Sequence, residues 1–131
     1  SSITIASGAN SNITIDPAGT GVTIMKAIRE EYTSISGVAT YAIGTDGVIV
    51  AVTAAAGYSI TLPAVATAGA GYRITFIKTD ANANAITLDG SGAETINGSA
   101  TFALLDAQYD HCSLVSDGST GWYIYEQRST M

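Results

Sequence analysis

Charge is scarce in this chain. Only 12% of its 131 residues are Asp, Glu, Lys or Arg, about half the roughly 25% of an ordinary soluble domain. Much of the surface must therefore be Ser, Thr, Asn, Gly and Ala, or be covered by another subunit. Basic residues are the rarer sign: 5 Lys and Arg stand against 11 Asp and Glu, a net charge of -6. Such a balance offers no cationic footprint for a phosphate backbone, so no nucleic acid is expected as a partner. The single cysteine, Cys112, rules out an internal disulfide framework. In its setting YDHCSLV it reads as a small buried hydrophobe rather than an activated thiol. One histidine, His111, cannot build a multi-histidine metal site within one chain. No apolar run is long enough to cross a bilayer, and the first residues lack the basic region and apolar core of a secretory signal, so no membrane insertion is expected.

Apolar residues are plentiful, at 47% of the chain, which argues against disorder. The length suits one hydrophobic core. These residues come in short alternating runs. The segments Ile3-Thr4-Ile5, Ile13-Thr14-Ile15 and Val22-Thr23-Ile24 recur near every ten residues between Gly, Asn and Pro. They read as short β segments joined by tight turns, or as an extended arm that pairs with another subunit. Residues 24–32, IMKAIREEY, fit a short helix or a curved strand equally well.

From residue 36 onward the signals are β. VATYAIG and VIVAVTA flank Asp46-Gly47, a predicted hairpin turn. YSITLP ends at Pro63, which closes the ladder. In GYRITFIK, alternation places Tyr72, Ile74 and Phe76 on a core face from which Lys78 emerges at the end. Residues 80–84 form a polar turn before AITL, and ETI with Asn97-Gly98, ATFALL, HCSLVS and GWYIYE supply further strands. SDGSTG reads as the loop of a final hairpin. Without helical crossovers, the pattern predicts an all-β fold: an antiparallel β-sandwich or jelly-roll-like domain over 36–131, with residues 1–35 as an extended N-terminal arm or attachment segment.

Groups for chemistry are few. Asp89 with Glu94, and Asp106 with Asp110, are acid pairs of the kind a glycoside hydrolase needs, but nothing places them in an apolar pocket, and turn roles account for them. Asp80, Asn82 and Asn84 put oxygens at alternate positions without the glycine and terminal acid of a calcium loop. No catalytic, cofactor-binding or metal residues are assigned. The aromatics argue better for binding, because tyrosine joins an apolar body to a wet hydroxyl. Tyr109, His111, Tyr123 and Tyr125 are the candidate surface-binding residues. In WYIY, Tyr123 and Tyr125 share one strand face opposite Trp122 and Ile124.

The ordered set YSITLP, GYRITFIK, NAITLDG, ETINGS and FALLDAQYDHCSLVSDGSTGWYI, over residues 58–125, resembles β-rich domains of bacteriophage tail fibres, head fibres and related virion-surface proteins. The resemblance covers about half the chain and implies a homotrimer that joins other virion proteins and meets a host surface. Its sheet-building positions would be Ile60, Leu62, Ile74, Phe76, Ile86, Leu88, Ile96, Leu104, Leu105, Leu114 and Trp122. It carries no catalytic group or cofactor. The expectation is a virion structural protein. The alternatives are a module that binds host-surface glycan and, third, an enzyme that cleaves polysaccharide.

Overall fold

The computed structural model describes residues 14–15, 17, 19–37, 40–42 and 48–129, apart from the side chains of residues 51, 103 and 104. These form an all-β domain of two sheets with one short helical turn. The elements are β1 (Tyr32–Ser36), β2 (Ile49–Thr53), β3 (Tyr58–Thr61), α1 (Val65–Ala68), β4 (Arg73–Lys78), β5 (Ile86–Asp89), β6 (Thr95–Ile96), β7 (Thr101–Leu105), β8 (His111–Ser116) and β9 (Gly121–Arg128). The large sheet has the order β1-β2-β4-β8-β9-β6 and the small sheet β3-β5-β7.

The sheets are mixed, not purely antiparallel. β1, β2 and β4 run parallel, as do β3 with β5 and β6 with β9, whereas β4-β8, β5-β7 and β8-β9 are antiparallel. A parallel pair needs a crossover, and for β2-β4 and β3-β5 the crossover is a strand in the opposite sheet rather than a helix. From β2 to β5 the chain alternates between the large and small sheets, winding as a short coil that the β8-β9 hairpin closes on one side. The polar segment 80–84 is thus a corner between sheets. β2 already has β1 and β4 as neighbours, so VATYAIG is not its hairpin partner. Thr40 instead bridges Thr61, whose carbonyl accepts from the Tyr41 N–H, at the small sheet. The predicted Asp46-Gly47 turn lies outside the described residues.

Alternation places Ile74 and Phe76 in the core, and both are buried. So are Ile60, Leu62, Ile86, Leu88, Ile96, Leu105, Leu114 and Trp122 among the positions that the resemblance marks as sheet-building, with Tyr41, Val50 and Val52 beside them. The Leu104 side chain lies outside the described set. Each such side chain contributes on the order of 2 kcal/mol by leaving water. Tyr41 meets Phe76 edge-on, with ring centroids 6.0 Å apart, and its hydroxyl lies 3.3 Å from that of Tyr72. Buried Trp122 donates its Nε1–H to the Pro63 carbonyl at 3.3 Å.

Lys78 departs from expectation. It does not emerge at the strand end: it is fully buried. Its Nζ donates to Asp80 Oδ1 at 2.6 Å, to the Asp80 carbonyl at 3.2 Å and to the Asn82 carbonyl at 2.5 Å. The corner folds back over the lysine and supplies the oxygens that a buried ammonium requires.

Two turns show why their residues are present. In the β8-β9 turn, Asp117 Oδ1 accepts from the N–H groups of Ser119, Thr120 and Gly121 at 2.7, 2.8 and 3.0 Å. Gly118 there has φ +74, and a Cβ on it would stand 2.7 Å from Ala70 N, so glycine is required on both counts. After β6, Asn97 (φ 50) and Gly98 (φ 84) make the tight turn that Asn-Gly favours.

Candidate functional site

The outward face of the large sheet is built by register. One row crosses β1, β2, β4, β8 and β9 as Tyr32, Ile49, Thr75, Ser113 and Glu126, and a neighbouring row crosses β4, β8 and β9 as Arg73, Val115 and Tyr123. The β8-β9 register shifts between Ser113 and Leu114, so Tyr125 is the additional, bulged residue of β9. Trp122 and Ile124 turn to the core, while Tyr123 and Tyr125 remain 52% and 51% exposed. Arg73 sits over the Tyr125 ring, its Cζ 5.4 Å from the centroid, as a cation above a π face. Thr75 and Ser113 join hydroxyls at 2.9 Å in the floor. Beside them lies a groove of about 320 Å³ lined by Glu30, Val48, Gly71, Tyr72, Arg73, Thr75 and Tyr125.

The four candidate residues fall into two pairs. Tyr109 is 59% exposed in the β7-β8 turn with φ 70, and its carbonyl lies 3.4 Å from His111 Nδ1. His111 starts β8 on the same outward face as Val115, and those four residues of strand span about 13 Å. Tyr123, opposite Val115, therefore stands well away from His111. Glu126 lies between the pairs, its Oε1 3.9 Å from His111 Nε2. The sequence did not flag Arg73, Glu30 or the bulge, because the periodicity of each strand says nothing of what its neighbour brings alongside.

Asp80, Glu94 and Asp110 hold backbone groups in place, and Cys112 packs in the core. Partial burial pushes the Asp80 carboxyl up, but hydrogen bonds from Lys78, Ala54 and Asn82 and the Lys78 charge outweigh it and hold the pKa at about 2. Asn82 and Asn84 both donate to the Ala54 carbonyl, so the corner is tied to the end of β2. Glu94 accepts from Val65 N–H through both carboxylate oxygens, at 3.1 Å each, at the start of α1. Asp110 is buried and accepts from Asp106 and Ala107 N–H groups. Burial pushes the Cys112 thiol up to about 12, which makes it unreactive. Among the described residues no three His, Cys, Asp or Glu side chains gather as a metal site.

The second feature is the segment before β1. Residues 21–31 form neither the helix nor the strand that IMKAIREEY allowed, and Val22-Thr23-Ile24 is no strand. The side chains stand in solvent: Val22 is 76% exposed, Ile24 86%, Met25 54% and Ile28 67%, with Ile15 before them and Tyr32 after. The expected arm boundary at 35/36 falls within β1. The chain matches no protein-family model and no curated protein.

Proposed function

We propose that this chain is a virion structural domain, a homotrimeric fibre or a capsid or tail decoration module that works by assembly or host-surface attachment and not by catalysis. The observation that carries the reading is the arm. Five aliphatic side chains from Ile15 to Ile28 are more than half exposed, and a surface of that kind is covered when chains associate. The ordered β phrases that resemble phage fibre proteins support it, since their apolar positions form the core between the two sheets. We infer a sandwich-like packing of those sheets, held together by the coil of β2 to β5. Low charge fits a chain whose surface is partly lost to its own copies. The test is the mass in solution: the reading requires three chains, and a stable monomer at micromolar concentration contradicts it.

A second reading is glycan binding on the outward face, favoured by the exposed rings of Tyr123 and Tyr125 beside the Arg73 groove. Exposed aromatic faces stack on sugars, and repetition of a weak site in an oligomer raises avidity. A glycan array tests it: selective binding that is lost in Tyr125→Ala supports the reading, and no selective binding removes it.

A further inference from the structure

We propose that Asn97 is a self-modification site, a deamidation position that the fold holds closed while β6 lies on β9 and whose isoaspartate product leaves β6 detached. The site stands on the tight turn after β6 and is independent of the assembly reading.

The reactive pair is set by sequence. Of the asparagines Asn10, Asn12, Asn82, Asn84 and Asn97, only Asn97 is followed by glycine. In deamidation the backbone nitrogen of the next residue attacks the side-chain amide carbon. A bond forms between Gly98 N and Asn97 Cγ, the side-chain nitrogen leaves as ammonia with the proton of the Gly98 amide, and a five-membered succinimide remains. Water then opens one of the two C–N bonds of that ring, giving aspartate or isoaspartate. A side chain on the attacking residue hinders its approach, and glycine has none. The nucleophile is also accessible. Asn97, Gly98 and Ser99 are exposed, and among the described residues the Gly98 N–H has no hydrogen-bond acceptor.

The closed turn opposes the reaction. The Ile124 N–H donates to Asn97 Oδ1 at 3.0 Å, and the Asn97 N–H donates to the Trp122 carbonyl at 3.0 Å, so side chain and backbone are both fastened to β9. Ile96 and Ser99 exchange N–H bonds to each other's carbonyls across the turn, at 2.6 and 3.0 Å. Gly121 lets the two strands approach, since a Cβ there would collide with the Thr95 carbonyl. Ring closure must swing the amide carbon off β9 and onto Gly98 N, which breaks the Ile124 bond. The reaction therefore runs from an opened turn, at a rate scaled by the fraction of time it is open.

The two products differ in what they do to the fold. Aspartate leaves the backbone unchanged and keeps an oxygen for Ile124, so the turn closes again with one more negative charge. Isoaspartate routes the main chain through Cβ and adds one atom between Ile96 and Ser99. The Ile96–Ser99 pair and the Asn97–Trp122 bond then no longer fit one turn, and the Ile124 N–H loses its acceptor.

Peptide mapping by mass spectrometry tests the site, on the intact chain held at mildly alkaline pH with and without guanidinium chloride. In denaturant Asn97 should convert before the other asparagines, and in the folded chain its conversion should be roughly tenfold slower or more. Amide exchange tests the consequence. In the isoaspartate form, separated by chromatography from the aged folded chain, Ile124 should exchange faster while β4 and β8 keep their protection. Another asparagine reacting first in denaturant, or no conversion at position 97, overturns the site. Equal rates with and without denaturant overturn the control by the fold, and unchanged protection of Ile124 in the isoaspartate form overturns the detachment of β6.

Discussion

Lys78 and Asp80 form a buried ion pair, with Nζ 2.6 Å from Oδ1 and no exposed surface on the lysine side chain. Three oxygens from the corner after β4 surround the ammonium, so the lysine occupies the space that a loop rich in Asp and Asn offers to a cation. Removing one partner of a buried pair leaves an uncompensated charge and costs about 3–5 kcal/mol. Asp80 keeps 17% of its side chain in solvent, which places Lys78→Ala near the lower end of that range. Lys78→Met, which keeps the aliphatic stem, should cost less than Lys78→Ala. Urea unfolding checks both, and a loss below about 0.5 kcal/mol for the alanine variant, as at an ordinary surface site, would contradict the role assigned here.

The same corner sets a response to acid. The Asp80 carboxyl titrates at about 2 in the folded chain against an ordinary 3.8, so the folded state binds fewer protons than the unfolded state between those values. The stability it contributes is complete above about pH 4 and is lost as pH falls through 2. A shift of this size corresponds to roughly 2 kcal/mol at most, because some solvent contact remains. Asp80→Asn should flatten the unfolding free energy over that interval. An unchanged slope would mean that the carboxylate is not held as described.

Asp117 organises the β8-β9 turn, with three backbone N–H groups on Oδ1 and the Thr120 hydroxyl on Oδ2 at 2.6 Å. Those bonds, the Thr120 hydroxyl first, hold its carboxyl below the ordinary carboxylate range. Asp117→Ala should lower the melting temperature and speed amide exchange at Ser119, Thr120 and Gly121, while the exchange of β5 and β7 changes little. Equal loss of protection in both sheets would show that the turn is not a local element.

Cys112 gives a probe of opening. Its thiol is buried and titrates at about 12, so almost none is thiolate near neutral pH. An aromatic disulfide reagent at pH 8 should react only at the rate of global unfolding, and denaturant should raise that rate steeply. Rapid reaction of the native chain would contradict the packing between β8 and the core.

Much of the core was legible because a half-buried strand writes its inner face in period two. Ile74 and Phe76 follow from the alternation of GYRITFIK, whereas Leu114 comes only with the resemblance, although the boundaries of β8 match the phrase HCSLVS. Pairing was less legible. Absence of helices predicts antiparallel strands, but β2, β3, β4 and β5 alternate between sheets, and a strand performs the crossover that a helix performs elsewhere. Alternation puts Lys78 at the end of the core face, where a charge is expected to emerge, and only the later residues Asp80 and Asn82 supply the oxygens that hold it inside. On the candidate face, the shared side of Tyr123 and Tyr125 followed from WYIY. Their contact with Arg73 depends on the order β4-β8-β9 and on a bulge, neither of which is written in local periodicity. For residues 21–31 no local pattern was decisive, and the exposure of Val22, Ile24 and Ile28 fits a segment whose order comes from another chain.

The central claim is that this domain works as an oligomer joined through its arm. Light scattering on the intact chain at micromolar concentration tests it most directly. The account predicts a mass three times the 13.3 kDa of one chain, and a stable species of 13.3 kDa would contradict it.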